Sequence, residues 1–369
     1  MKKLAIIGAN ESIAILIEKA KELGYETHVF ARACGAPGEK AADFFYPTST
    51  SDKQAILEQC KKIGVCGVCS ITSDFCAPVV NFVARHLGLT ANPAICETLA
   101  RNKYEMRRAL KEHGLYTPKF LKADETIDTS ELHHFHFPII VKPTDAWSSK
   151  GITRLDNPDG LLEAVRYAAS FSSENKAIVE EFMDGPEYSA ECICYQGKRR
   201  VLAFTKKETT GFPHYIETGH IQPSDIPQNL QTKIVSQIEM ALSALKIENG
   251  AAHAEFRILS DQTIGFMEIG ARMGGDDIGT HLTPISTGMD YVKMVIDVAC
   301  GNAPDFSIVS DPSPVKVAFI INKQDVELYQ KILAADPSRI VCASGFDENF
   351  SKTVTNSSDR HGYYIYKID

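Results

Sequence analysis

The chain has 369 residues and a net charge of −8, long enough for two or three domains and too acidic for a nucleic-acid binder, which usually carries a basic surplus. Apolar residues make up 44% and charged residues 23%, an ordinary globular composition, and no stretch approaches the ~20 apolar residues that span a membrane. The opening apolar run of residues 4–7 is too short for a secretion signal, and ten cysteines without one fit a reducing compartment, so a soluble, cytoplasmic protein is expected.

Residues 1–92 alternate strands and helices. Residues 4–8 read as a buried strand, 12–23 as a helix with Ile13, Ile17 and Ala20 at helical spacing and Gly24 as its C-cap, and 26–30 as a second strand. A helix over 54–63, a strand over 65–71 and a helix over 77–87 follow. This βαβα order implies a parallel sheet covered on both faces. Gly8 follows the first strand, but Gly8-Ala9-Asn10-Glu11-Ser12-Ile13 lacks the G-x-G-x-x-G pattern of a dinucleotide site. Cys66 and Cys69 have Cys-x-x-Cys spacing, yet no second pair follows at ligand distance, and the run reads as a strand whose thiols belong to the core.

Asn92-Pro93 marks a boundary. A helical stretch is expected over 94–114, strands over 138–142, 178–182 and 188–195, and a helix over 228–245. Two strands over 252–259 and 263–270 precede a helix over 290–300 that stops at Gly301. Pro304, Pro312 and Pro314 punctuate the exit, and residues 315–369 read as a strand-rich tail with strands at 315–321 and 363–368.

The most informative segment runs from His253 to Gly270. If it is a hairpin with the two-residue loop Asp261-Gln262, Glu255 lies opposite Glu268 and His253 opposite Gly270. Alternate residues share a face, and like charges opposed across a ladder are destabilising. A divalent cation would relieve that repulsion; magnesium is commonly held by one or two carboxylates plus substrate phosphates. The alternative is two solvent-facing glutamates on an edge hairpin.

Two upstream lysines have specific settings. Lys103 begins a helix, and Lys142 ends an apolar strand just before Pro143. Each could decorate the surface or deliver a point charge to a site. The polar segment containing Ser148, Ser149, Gly151 and Ile152 could wrap phosphates through backbone N–H groups and hydroxyls, though it holds a single glycine. Glu180-Glu181-Phe182-Met183, before Gly185 and Glu187, reads as a strand edge that could offer backbone groups to a purine.

In order and spacing these features resemble the ATP-grasp superfamily of carboxylate–amine ligases over nearly the whole chain. The resemblance is carried by Asn102-Lys103…Met106-Arg107, Val141-Lys142-Pro143, Glu180-Glu181-Phe182-Met183…Gly185…Glu187 and Glu255…Glu268…Arg272. It implies a parallel α/β domain over 1–92, a two-lobed ATP-grasp region over 93–304 with the nucleotide cleft between its lobes, and a small β-rich piece over 305–369. Lys103 and Lys142 would contact ATP phosphates, and the segment with Ser148, Ser149 and Gly151 would close over them. Glu180, Glu181, Phe182 and Met183 would form the adenine edge, and Glu187 would bind ribose. Glu255 and Glu268 would hold magnesium, with manganese as a substitute. Arg272 and Lys142 would be the catalytic cations, Arg272 steadying an acyl phosphate, and His220, Arg272, Gly274 and Gly275 would shape the substrate pocket.

The implied chemistry needs little from the protein beyond positioning and charge neutralisation. A small-molecule carboxylate attacks the γ-phosphate, and an amine captures the acyl phosphate, as in joining two amino acids. Rivals are a carboxylase or purine-pathway ligase of the same superfamily, and a non-catalytic nucleotide-binding protein. No membrane or nucleic-acid partner is implied, and a homodimer is compatible. One departure concerns Gly270, where many members have an Asn as a further metal ligand. His253, or a water, fills the space left there, or His253 is a plain strand residue. His133, His134 and His136 read as an exposed loop.

Overall fold

The computed structural model describes residues 1–146, 150–212, 215–346, 350 and 353–368. Its strands are β1 (Lys2–Ile7), β2 (Tyr25–Ala31), β3 (Phe44–Pro47), β4 (Gly67–Cys69), β5 (Phe120–Ala123), β6 (Ile139–Pro143), β7 (Thr153–Leu155) and β8 (Ala177–Glu181). They continue with β9 (Glu187–Tyr195), β10 (Lys198–Thr209), β11 (Glu217–Gln222), β12 (Gly250–Ile258), β13 (Ile264–Gly270), β14 (Val315–Ile320), β15 (Ile340–Ala343) and β16 (Gly362–Lys367).

The N-terminal sheet has the order β3-β2-β1-β4 and is parallel throughout, as the βαβα pattern implies. Asn10 and Asp52 cap the helices Glu11–Glu22 and Lys53–Ile63 through their side chains, and Gly64 ends the second in the left-handed conformation that glycine tolerates. Cys69 is buried in β4, whereas Cys66 lies just before that strand and is only partly buried.

The expected helical stretch over 94–114 is two helices, Ala94–Arg101 and Lys103–Glu112, broken at Asn102. Asn102 leaves the helical conformation and its side chain accepts hydrogen bonds from the Tyr104 and Glu105 amides. The break places Lys103 at a helix start, where its own amide bonds Thr144 O at 2.7 Å.

Beyond it lie two antiparallel sheets. The smaller has the order β5-β8-β6-β7, with the helix Leu161–Ala169 in its core. The larger has eight strands in the order β13-β12-β9-β10-β11-β14-β16-β15. The strands of the C-terminal tail therefore extend this sheet from β11 rather than forming one of their own.

β9 is buried from Tyr188 to Cys194 because both its faces are covered. Tyr188, Ala190, Cys192 and Cys194 pack with the helix Gln228–Ala244, while Ile193 packs with the helix Tyr291–Ala299, which also meets the N-terminal helix Glu11–Glu22. Glu187, Ser189 and Glu191 alternate with the first set, so they share the opposite face. Register puts Arg257, Glu255 and His253 of β12 beside those three residues in turn. The chemistry-bearing side chains are thus rows on one face of a single sheet.

The β12–β13 hairpin departs from its expected turn. Its loop is three residues, 260–262, with Leu259 N bonded to Thr263 O and only Gln262 taking positive φ, at 62°. A two-residue type I′ turn needs two such residues, and Asp261 instead accepts the Thr263 amide with its side chain. The register nevertheless brings Glu255 opposite Glu268 and His253 opposite Gly270, because a bulge between Glu255 and Phe256 absorbs Met267.

Candidate active site

Two adjoining cavities meet at the paired carboxylates. One, of about 170 Å³, lies between the small sheet and the large one and is lined by Lys103, Lys142, Phe182, Met183 and Glu187 among others. The second, of about 300 Å³, is walled by the N-terminal loop 72–75 and by His220, Arg272, Gly275 and Asp276. Glu255, Glu268, Lys207 and Glu217 line both.

In the first cavity the charges are closely matched. Lys103 Nζ bonds Ala146 O at 2.7 Å and Glu268 Oε1 at 3.3 Å. Lys142 Nζ pairs with Glu180. Arg107, fully buried, donates to Glu180 Oε2 at 3.0 Å and to the bulge carbonyl of Met267 at 3.0 Å. Burial would raise the Glu180 pKa, but Arg107 and Lys142 overcome it and hold the group at about 2. Burial lowers the Lys142 pKa, with Arg107 and Lys103 adding to that and Glu180 opposing it. Glu180, expected at the adenine edge, lines this cavity as the shared counter-ion of two cations, because it alternates with the core residue Val179 and its side chain faces the cleft.

Along that edge the amides of Glu181 and Phe182 are already bonded to the Lys119 and Pro138 carbonyls. The Glu181 carboxylate is held by the amide and ring of His136. Glu187 is likewise engaged, with Arg257 at 3.1 Å and Lys207 at 3.1 Å. Gly151 is absent from the cavity wall; at φ 71° it turns the chain, and a Cβ there would lie 2.8 Å from Phe171 and 2.9 Å from Pro143. Ser148 and Ser149 lie outside the described residues.

Lys207 was not singled out from the sequence, yet it sits centrally. Its Nζ lies 2.9 Å from Glu255 Oε1, and Glu187 and Glu217 complete an acidic surround that raises its pKa despite the opposing effect of burial. The signal was available: in a strand, Lys206 and Lys207 must point to opposite faces, so one of the pair faces the sheet's inner side. The Glu255 carboxyl, although burial favours its neutral form, is held well below the usual range by Lys207 and His253.

The second cavity brings distant segments together. Arg272 donates to Asp74 from both Nε (2.9 Å) and Nη2 (2.8 Å). A Cβ on Gly270 would lie 2.9 Å from Asp74 Oδ1 and 3.1 Å from Arg272 Nε. The space of the missing Asn side chain is therefore filled by the Asp74–Arg272 pair, not by His253, whose ring bonds Glu191 and Glu255. His220 is buried at the cavity, 3.6 Å from Asp276, and Asp276 also takes a two-point bond from Arg360 at 2.9 and 3.0 Å. Thr72, Asp276 and Asp277 all have positive φ, a costly conformation for side-chain-bearing residues that concentrates at ligand sites. Gly275 lines the cavity as expected, but Gly274 does not; its amide bonds Glu191 Oε2 at 2.9 Å.

Gathering three or more carboxylate, imidazole or thiolate groups in metal-binding geometry is not observed among the described residues. A cation between Glu255 and Glu268 would complete its shell with phosphate oxygens, which suits magnesium. No helix among the described residues is long and apolar enough to cross a membrane.

Residues 135–281 match the ATP-grasp domain family. The chain is 26% identical over 311 residues to the alanine–anticapsin ligase of Bacillus subtilis (strain 168), covering 73% of this chain and 65% of that ligase. It is 30% identical over 185 residues to a D-alanine–D-alanine ligase of Christiangramia forsetii, covering 48% of this chain and 56% of the other. The chain thus spans less than two thirds of the length of these curated relatives. A crystal structure of an L-amino acid ligase from Bacillus licheniformis superposes with a TM-score of 0.82 and 25% identity, covering 100% of this chain and 93% of that one.

Proposed function

On the premise that this chain carries an ATP-grasp domain, we propose that it is an ATP- and magnesium-dependent ligase joining the carboxylate of one small acid to an amine, with an amino acid among its substrates. The observation that carries the reading is the meeting of the two cavities at Glu255 and Glu268. A nucleotide in one cavity and an acid in the other would bring a γ-phosphate and a carboxylate together there. The names of the similar ligases, all acting on amino acids, support that substrate class.

In this reading ATP lies in the first cavity, with its purine at the Phe182–Met183 edge, where the Met183 amide, without a hydrogen bond among the described residues, would meet it. Lys103 and Lys142 face the phosphates. Glu255 and Glu268 would hold magnesium, which when bound would supply charge neutralisation for phosphoryl transfer. Glu187 holds the ribose through an oxygen now shared with Arg257 or Lys207. A carboxylate oxygen of the acid attacks the γ-phosphorus, the bond to the β–γ bridging oxygen breaks, and ADP leaves. The amine nitrogen then attacks the acyl carbon, phosphate leaves, and the nitrogen gives up a proton. Arg272, oriented by Asp74, is placed to bind the acyl phosphate oxygens, and His220 and Gly275 border the acceptor.

We place the boundaries of the N-terminal domain, the ATP-grasp region and the C-terminal piece near residues 92 and 304. A cytoplasmic location is supported by ten cysteines that are all free thiols. The test is ADP release with ATP, magnesium and pooled amino acids. Amino-acid-stimulated ADP release is expected; nucleotide binding without stimulation by any pool would favour a binding module.

A further inference from the structure

Glu191 lies fully buried behind the paired carboxylates, where no reacting group could reach it. A carboxylate removed from water is costly unless every lone pair finds a partner. His253 Nδ1 bonds Glu191 Oε1, and the Gly274 amide bonds Oε2. The other nitrogen of His253, Nε2, lies 3.2 Å from Glu255 Oε1. Lys207 Nζ reaches that same oxygen at 2.9 Å. Both donors therefore converge on Oε1, while Oε2 carries no hydrogen bond among the described residues.

We propose that Glu191 and His253 are positioning residues that turn Glu255 so that it offers one oxygen to the metal, and that tie this ligand to the substrate-side loop through Gly274. The proposal rests on the reading of Glu255 as a magnesium ligand. Glu191 fixes the ring of His253, the ring fixes Oε1, and the carboxylate plane then aims Oε2. The loop is part of the same unit. A Cβ on Gly274 would lie 2.4 Å from Glu191 Oε1 and 2.8 Å from His253 Nδ1, so only glycine lets the backbone close on the pair. Two residues earlier the same loop carries Arg272. Partners that orient a metal ligand in this way typically matter 10–100-fold for metal affinity.

The experiment uses the full chain, ADP and Mn²⁺ as the probe, with free Mn²⁺ counted by electron paramagnetic resonance. Glu191→Gln removes the charge at constant shape; His253→Gln leaves one donor to Glu191 and removes the fixed ring, and it serves if the first variant does not fold. Metal-free ADP affinity and the thermal midpoint are measured alongside. The proposal expects about 10–100-fold weaker Mn²⁺ binding with metal-free ADP affinity within about twofold. Unchanged Mn²⁺ affinity in a folded variant, or a loss of thermal stability alone, overturns it. If the wild-type chain binds no Mn²⁺ with ADP, the ligase reading itself fails; if the wild type binds and the variant matches it, only the positioning role fails.

Discussion

The two cavities are built differently. The first, proposed as the nucleotide side, draws mainly on β6, β8, β9, β12 and β13, whose register is set by strand pairing, and its charges are locked in pairs such as Arg107–Glu180 and Lys207–Glu255. The second, proposed as the acceptor side, adds to the strand residues it shares with the first a loop of the N-terminal sheet, His220 of β11, the turn after β13 and, behind Asp276, Arg360 of the tail. Its contacts span up to 198 residues of sequence, as between Asp74 and Arg272. Strand rows make a site that many sequences can share, while a wall drawn from distant segments, most of them loops, makes one that can be retuned for a new substrate.

Glu268→Gln should break the comparison at its junction. Turnover is expected to fall by roughly three orders of magnitude with the fold retained, as read by ADP release and circular dichroism; activity near wild type at ordinary magnesium would remove the metal assignment. Arg107→Met tests the nucleotide side as a structural unit. It leaves Glu180 short of a buried partner and the Met267 carbonyl uncapped, and should cost about 3–5 kcal/mol in denaturant unfolding. The same unit predicts an acid limit. The Glu180 pKa is depressed from 4.5 to about 2 on folding, so its stabilisation is fully present above about pH 4.5 and is lost as pH falls toward 2. Unfolding free energies in Glu180→Gln should show a weaker fall over that window than in the wild type.

Changes on the acceptor side should act on substrate rather than fold. Asp74→Asn leaves Arg272 without its counter-charge and should lower kcat/KM for the acid about tenfold, with the KM for ATP nearly unchanged. An equal loss for both substrates would mean that the two cavities are not separate. Arg360→Lys removes the two-point grip on Asp276, since lysine lacks the planar fork. A few-fold rise in one substrate's KM is expected, with the thermal midpoint little changed.

The same contrast explains what could be read from the sequence. The Glu255–Glu268 pairing was legible from strand period, whereas Lys103 and Lys142 were legible only through the resemblance that their order and spacing carry. The register survived a mistaken turn, since the Met267 bulge compensated for a loop one residue longer than expected. Asp74, Glu191 and Arg360 were not legible. Nothing local distinguishes Asp74 from any loop aspartate, and Glu191 lies in a strand whose neighbours read as core. Gly270 and Gly274 carried partial signals. Each marks a close approach, but to Asp74 and Glu191 rather than to a ligand. Glycine announces that something is near without saying what.

In the proposed reaction a carboxylate is activated by phosphoryl transfer where the two cavities meet. That step is tested most directly by supplying pooled amino acids labelled with ¹⁸O in both carboxylate oxygens, with ATP and magnesium, and weighing the phosphate released. An acyl phosphate requires one labelled oxygen in that phosphate for each turnover. Phosphate released without label during amino-acid-stimulated ADP formation would contradict it.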